Sequence, residues 1–427
     1  MNVKGILEKE LELISVPGSE VLRLKSISSD FIESLKREGL KAFVGGSLAK
    51  GTLVVKEIQD VDIFAVFDYS EDILKLEGVL KSIDLPGKLK RVHGSRDYFH
   101  VDIGDVVLEV IPVVKNSDPE LAENVTDMSL SHVKYVVGGI KKDSGLAGEI
   151  MLAKAFCRAQ RCYGAEGYLR GFSGYSLEVL VIHFGGFTKF LKGMRKTKSF
   201  GAMGNGQQAV GKQGKIVVDS CKYFKNEKEI MREINANKLQ GPVVVVDPTY
   251  KYRNICAGLG GDTFERFLKA GKEFLKVPSL EFFNRQEIDV EGLKSFALKK
   301  KARFLSLELK SDRQEGDIAG TKMGKILNFS VRELERSGQN VLRKEFDYSG
   351  VGNSAKGYLV VLEKREVEVR GPSVGLQACV AEFRKAKGDA VFTRKGFWWF
   401  RKRVSIEEVL EFVKKFEEEI GAEIELV

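Results

Sequence analysis

Apolar positions in residues 1–40 recur at helical spacing. Leu24, Ile27, Phe31 and Leu35 fall on one face with Ile32 beside them, and a break is predicted around Val16–Ser19. The texture then changes. KAFVGGSLAKGT is a short apolar run followed by a glycine turn, while IQDVDIFAVF and DVVLEVIPVV are short, β-branched and nearly alternating, as strands are. With a further strand predicted over Tyr98–Ile103, several strands lie within one compact unit that ends near 125–145. From Leu146 the period returns to that of a helix in EIMLAKAFCRAQRC and YSLEVLVIHFGGFTKFLKG, separated by a turn or cap at Arg170–Gly174. PVVVVDP at 242–248 predicts a strand and Asp262–Leu275 a helix. Beyond them, strands are predicted over 302–310, 357–363 and 365–369, with a helix over 318–337 between the first two. The amphipathic helix SIEEVLEFVKKFEEEI closes the sequence, and no internal repeat is evident.

At about 150 residues per domain, 427 residues suggest two to four domains. With 43% apolar and 30% charged residues, ordinary cores are feasible. The net charge of +9 leans towards a polyanionic partner, but it is modest for this length, so its distribution matters more. Residues 187–218 carry Lys189, Lys192, Arg195, Lys196, Lys198, Lys212 and Lys215 with frequent glycine and no acid; they read equally as a mobile basic loop or as a linker kept soluble by charge. Four histidines (His93, His100, His132 and His183) argue against a multi-histidine metal centre. The cysteines at 157, 162, 221, 256 and 379 form no CxxC pair, and this odd, scattered set points to a reducing, cytoplasmic setting. The N-terminus lacks the apolar run of a signal peptide. No uncharged apolar stretch is long enough to span a membrane, and no membrane partner is expected.

The candidate chemistry lies in the alternating strands. Asp60 and Asp62 are two residues apart and project from the same strand face, and Glu109 interrupts the apolar run VVLEVIPVV. Two like charges held this close need a cation or a proton between them. If the strands pair, the three carboxylates converge into a hard-oxygen cluster suited to Mg²⁺ or Mn²⁺. Such a pair of ions could position a hydroxyl nucleophile and neutralise a triphosphate. DxD alone reads more simply as a strand entrance with one solvent-facing carboxylate; its combination with Glu109 and the preceding glycines favours the metal site. In Gly45-Gly46-Ser47-Leu48-Ala49-Lys50-Gly51-Thr52 the small residues permit close backbone approach to phosphate, with Ser47 as donor and Lys50 as charge. No GxxxxGK[ST] is present, so it is not a P-loop.

The hG[GS] turn followed by an hDxDh strand resembles the DNA polymerase β-like nucleotidyltransferase superfamily, and more closely the archaeal class of CCA-adding tRNA nucleotidyltransferases. CYGAEGYLRGFSGYSLEVLVIHFGGF, VVVVDPTYKYRNICAGL, KVPSLEFF and GFWWF look like further blocks of that family, in its order. The resemblance implies an α+β multidomain chain. It comprises a polymerase β-like catalytic head over 1–143, a mainly helical nucleotide-recognition domain over 144–275, an RRM-like α/β body over 276–370 and a basic aromatic tail over 371–427. It also implies addition of CCA to a tRNA 3′ end from CTP and ATP, with Asp60, Asp62 and Glu109 as metal ligands. Gly46, Ser47, Lys50, His132, Lys154 and Tyr163 would lie around the triphosphate, and Arg253 would read the base edge.

Without the resemblance, His132 reads as a structural histidine, Lys154 as a helix charge, Tyr163 as a core-edge aromatic and Arg253 as a turn cap. The family commonly has Glu, Asp and Asp at the triad and arginine at the position of Lys50, so this sequence keeps the charges but alters their reach. Between Arg384 and Arg403 eight basic residues and one acidic residue alternate with aromatics. Arg384, Lys385, Arg394, Lys395, Trp398, Trp399, Arg401 and Arg403 would grip the acceptor and T arms of tRNA, or else form a strand packed on the last helix. Against the family pattern, residues are added around 196–215 and 222–240, and the closing helix is short. The family is often dimeric. Two rival readings are another template-independent RNA nucleotidyltransferase, making poly(A) or oligonucleotides, and an RNA binder with a vestigial transferase fold.

Overall fold

In the computed structural model, residues 2–94, 96–115, 119–196, 215–312, 314–363, 366–388, 391–402 and 404–427 are described. The chain forms two compact units. The first comprises residues 1–165 and 169–286, the second residues 166–168 and 287–427. Among the described residues no helix is long and apolar enough to cross a membrane.

The first unit begins with helices α1 (Val3–Ile14) and α2 (Gly18–Arg37). Asn2 caps α1 by accepting from the Gly5 amide at 2.8 Å. Pro17 precedes α2, where its fixed φ and missing N–H do no harm. There follow β1 (Lys41–Val44), the single turn α3 (Gly46–Lys50), β2 (Gln59–Phe67), α4 (Leu76–Ser82), β3 (Lys88–Val92), β4 (Tyr98–Asp102) and β5 (Val106–Val114). The five strands form one mixed sheet in the order β1-β2-β5-β4-β3, in which only β2 and β5 pair in parallel. Val61, Ile63 and Ala65 of β2 and Val106, Leu108 and Val110 of β5 share a core with Leu24, Phe31 and Leu35 of α2. The alternate residues on the opposite face include Asp60, Asp62 and Glu109.

The same unit continues with α5 (Ser129–Lys142), α6 (Leu146–Ala159), α7 (Gly174–Phe184), α8 (Phe187–Lys196), β6 (Ile216–Val218), α9 (Glu227–Glu233), β7 (Val243–Asp247), β8 (Tyr250–Asn254) and α10 (Gly261–Lys276). Its core is strongly aromatic. Phe156 of α6 meets Phe187, Phe267, Phe274 and Phe283 at ring-centroid distances of 5.4, 6.5, 5.8 and 5.9 Å. The expected basic loop over 187–218 is corrected here at both ends. Phe187, Phe190, Leu191 and Met194 recur at helical spacing and are buried, so that stretch is α8, with Lys189, Lys192 and Arg195 outside the buried stripe. Ile216–Val218 is a strand paired with β7, and the intervening 197–214 lies outside the described residues. Within 222–240 lies α9, capped by Asn226, whose side chain accepts from the Glu229 amide.

The second unit contains α11 (Val290–Lys300), β9 (Arg303–Ser311), α12 (Gly316–Arg336), β10 (Asn340–Asp347), β11 (Ser354–Leu362), β12 (Val367–Ser373), α13 (Gln377–Lys387), β13 (Val391–Arg394), β14 (Phe397–Lys402), α14 (Ile406–Lys414), α15 (Glu417–Ile420) and β15 (Ala422–Leu426). Its main sheet is antiparallel in the order β10-β11-β9-β15, the β-α-β-β-α-β arrangement of RRM-like bodies. The stretch 371–427 is therefore not a tail apart from that body. Ile406, Val409, Leu410 and Val413 of α14 and Ala422 and Ile424 of β15 enter the same core as Leu305, Leu307 and Leu309 of β9. What is separate is an insertion after β11, the three-stranded sheet β12-β14-β13 with α13. Its β13–β14 hairpin turns on Lys395 and Gly396, both at positive φ (49° and 76°), which suits a tight two-residue turn.

Replacing Phe156 by alanine removes a ring held by four aromatic neighbours. It should cost about 3–5 kcal/mol of stability, measured by chemical denaturation.

Candidate active site

The parallel pairing of β2 with β5 sets Asp62 directly beside Glu109 and Asp60 beside Val107. The next strand places His100 opposite Glu109, and its Nε2 lies 3.2 Å from Glu109 Oε1 without hydrogen-bond alignment. On the other side, the Gly45 amide donates to the Asp62 carbonyl at 2.7 Å. Gly46 has φ of +53°, and a Cβ there would stand 1.6 Å from Asp62 Oδ2. Only glycine lets the backbone close over this carboxylate.

Asp62 keeps some exposure at one edge but is otherwise ringed by protein. Burial, Glu109 and, less strongly, Asp60 push its carboxyl up to about 6, against the opposing pull of Lys50 and Lys56. Lys56 pairs with Asp60. Among the described residues, no group of three acidic, histidine or cysteine side chains forms a ready metal cage. The donor set nevertheless fits a hard divalent cation: Asp62 and Glu109 are adjacent oxygen donors whose mutual repulsion a cation would relieve, and Asp60 shares their face.

Two cations stand next to this face. Lys50, at the end of α3, donates from Nζ to Glu178 Oε2 at 2.8 Å, and Lys154 of α6 donates to Glu178 Oε1 at 2.8 Å and to Thr52 Oγ1 at 3.1 Å. All three charged side chains are largely buried. Burial alone would raise the Glu178 carboxyl, but Lys154 and Lys50 hold it below its usual value. One carboxylate thus organises two ammonium groups and leaves a net positive charge. Sequence reasoning did not select Glu178; its signal was a lone acid within the apolar helix run SLEVLVIHF.

A second centre gathers around Asp247, which is fully buried at the end of β7. Its Oδ2 lies 3.2 Å from His132 Nε2 and accepts from Arg253 Nη1 at 3.2 Å, while Nη1 is 3.1 Å from His132 Nε2. Its Oδ1 accepts from Tyr175 Oη at 3.1 Å and from the amide and hydroxyl of Thr249, each at 2.8 Å. The His132 and Tyr175 rings stack at 3.9 Å, and Lys50 Nζ lies 6.0 Å from the Tyr175 ring centre, so the two centres adjoin. Burial pushes the His132 imidazole below its usual value although Asp247 opposes it. Burial would raise Asp247, but His132, Thr249 and Arg253 keep it low.

Of the other expected residues, Ser47 is half-buried in the first turn of α3. Tyr163 packs beneath the Arg158 guanidinium, 4.6 Å from the ring centre, and an ideal Cβ on Gly174 would stand 2.9 Å from its hydroxyl. In the second unit, Arg384 lies over Trp398 at 5.1 Å and Arg394 over Trp399 at 4.5 Å. Lys385, Lys395 and Arg401 are exposed on the same insertion, Glu368 pairs with Arg394 at 2.7 Å, and Arg403 lies outside the described residues. The aromatics of β14 therefore pack against α13 and their own cations.

The first unit thus sets a glycine turn over an acidic strand of a mixed five-stranded sheet, with buried lysines alongside, and its sequence relatives make the chain a nucleotidyltransferase of the polymerase β-like class. The family model described as tRNA nucleotidyltransferase, second domain, matches residues 148–284. The chain is 31% identical over 333 residues to the CCA-adding enzyme of Nanoarchaeum equitans, covering 77% of this chain and 75% of that protein. It is 26% identical over 354 residues to the CCA-adding enzyme of Archaeoglobus fulgidus, covering 82% and 74%. Among solved structures, one of Cid1, described for its RNA terminal uridylyl transferase activity, aligns at 11% identity and a TM-score of 0.49 over 67% of this chain and 98% of that one. The chain belongs to the family of archaeal CCA-adding enzymes. That membership carries with it catalysis dependent on a divalent metal.

Glu178→Ala leaves two buried ammonium groups without their counter-ion and should cost about 3–5 kcal/mol. The folded carboxyl lies below its unfolded value near 4.5, so its contribution is full above that pH and is lost as the pH falls through the folded value. Denaturation of the parent and Glu178→Gln proteins across pH 3–7 (roughly the span of carboxylate titration) should show the gap between them closing on the acid side.

Proposed function

We propose that this enzyme adds C, C and A in turn to the 3′ end of tRNA from CTP and ATP, without a template. The observation that supports transfer chemistry most directly is the pairing of Asp62 with Glu109 on adjacent parallel strands under Gly46. Kinship with the CCA-adding enzymes supports the substrates.

In this reading Asp60, Asp62 and Glu109 hold Mg²⁺, with Mn²⁺ as the alternative. The bound metal supplies charge neutralisation on the triphosphate and a lowered pKa for the attacking hydroxyl. The tRNA 3′-oxygen forms a bond to the α-phosphorus, the bond from that phosphorus to the bridging oxygen breaks, and pyrophosphate departs. Gly46 and Ser47 offer close backbone approach and a hydroxyl donor to the phosphates. Lys50 and Lys154, already oriented by Glu178, oppose the charge that builds on the departing pyrophosphate. His132 and Tyr163 flank the phosphates, and Arg253 presents guanidinium donors to the base edge.

The insertion carrying Arg384, Lys385, Arg394, Lys395, Trp398, Trp399 and Arg401, with Arg403 next to it in sequence, is the proposed grip on the acceptor and T arms. There, phosphate contacts by the cations would combine with half-buried aromatic surface. Such a grip reads the shape of the duplex rather than its sequence.

Incubation with tRNA lacking its last three nucleotides, read at single-nucleotide resolution, should give two additions with CTP, then one with ATP and a stop. Asp62→Ala or chelation of divalent ions should reduce the rate by at least about a thousandfold, since several kcal/mol of charge stabilisation are lost. Open-ended A tails would instead identify another terminal nucleotidyltransferase. Tight tRNA binding with no incorporation would identify an inactive RNA binder.

A further inference from the structure

The two oxygens of Asp247 have different duties. Oδ1 serves the turn after β7 through the amide and hydroxyl of Thr249, and takes a third donor from Tyr175. Closing this Asx-type turn requires no more than that. Oδ2 is not used by the turn; it faces His132 Nε2 from α5 and Arg253 Nη1 from β8. The residue is fully buried, and the carbonyl of Pro248, next in the chain, accepts from the Tyr223 hydroxyl at 2.6 Å, which pins the turn from outside. A buried carboxylate whose position is set by one oxygen is thus free to set the position of a guanidinium with the other.

An arginine side chain has many rotamers, and base discrimination by hydrogen bonds requires its donors at fixed angles. With Nη1 committed to Asp247 and Arg253 still partly exposed, the remaining donors of the fork have a defined direction. We propose that Asp247 is a positioning residue for nucleotide selection, fixing Arg253 and His132 through Oδ2 so that CTP and ATP are accepted over UTP and GTP. This rests on the assignment of Arg253 as the base-reading residue.

Asp247→Asn tests it directly. Asparagine can keep the turn through its oxygen but places an NH₂ donor against the Arg253 donor. Asp247→Ser likewise keeps a turn oxygen and offers nothing to Arg253. With tRNA lacking its last three nucleotides as primer, kcat/KM is measured for CTP and UTP in these variants, in Arg253→Ala and in Asp247→Asn combined with Arg253→Ala. The expected result is a fall of about tenfold or more in the CTP-over-UTP ratio for each Asp247 variant, with no further fall in the double variant. Thr249→Val, which touches only the Oδ1 side, should lower Tm while leaving that ratio within about twofold of the parent. Thermal melts establish which variants are folded. A folded Asp247 variant that keeps the parental ratio while Arg253→Ala loses it overturns the positioning role alone. Retention of the ratio in Arg253→Ala overturns the base-reading assignment, and this proposal with it. An equal loss in Thr249→Val shows a merely structural role and also overturns it.

Discussion

Two carboxylates on adjacent parallel strands repel each other, and much of the first unit answers to that constraint. Asp62 and Glu109 are neighbours because β2 and β5 pair in parallel register, and the core on the far side of the sheet locks that register. A one-residue slip would bury the acids and expose valine and leucine. The carboxyl of Asp62 is consequently pushed up by burial and by Glu109, a tension built into the fold that a cation bound there would relieve. The glycine at 46 belongs to the same arrangement, since any side chain there would occupy the space of the carboxylate.

Positive charge is supplied beside this face with the same economy. Lys50 and Lys154 come from different helices, and both would be costly to bury alone; Glu178 holds each by one oxygen. Asp247 repeats the device for His132 and Arg253. In both cases a buried acid on one element fixes basic groups from others. The stack of Tyr175 on His132, with Lys50 nearby, makes the two hubs adjoin. The basic groups are thereby oriented by the protein itself, which is the condition for electrostatic stabilisation without reorganisation.

The second unit solves a different problem. Its four-stranded sheet needs β15 to cover one edge of β9, and the chain supplies that strand only after the β12–β14 insertion. The insertion carries exposed cations set over aromatic rings, so its side chains are ordered by one another rather than by a large core. A surface of this kind can offer charge and flat apolar area together.

Much of the placement of the candidate site was readable along the chain because it depends on local periodicity. Alternation put Asp60 and Asp62 on one strand face, the apolar run around Glu109 marked its strand, and the glycines at 45 and 46 marked the turn. The helical spacing of 24–35 and 262–275 was equally legible. Strands β3 and β10 were not, since KLKRV and NVLRKEFD are largely polar edge strands whose pairing satisfies them. Neither was α8, where charge and glycine masked the buried stripe of Phe187, Phe190, Leu191 and Met194. Glu178 and Asp247 escaped for a deeper reason. Each looks like an isolated acid in an apolar run, and its meaning lies in partners as far away in sequence as Lys50 and His132. Local pattern determines which faces and turns exist; only tertiary packing decides which charges meet, because pairing energies depend on distance and burial that no short window of sequence contains.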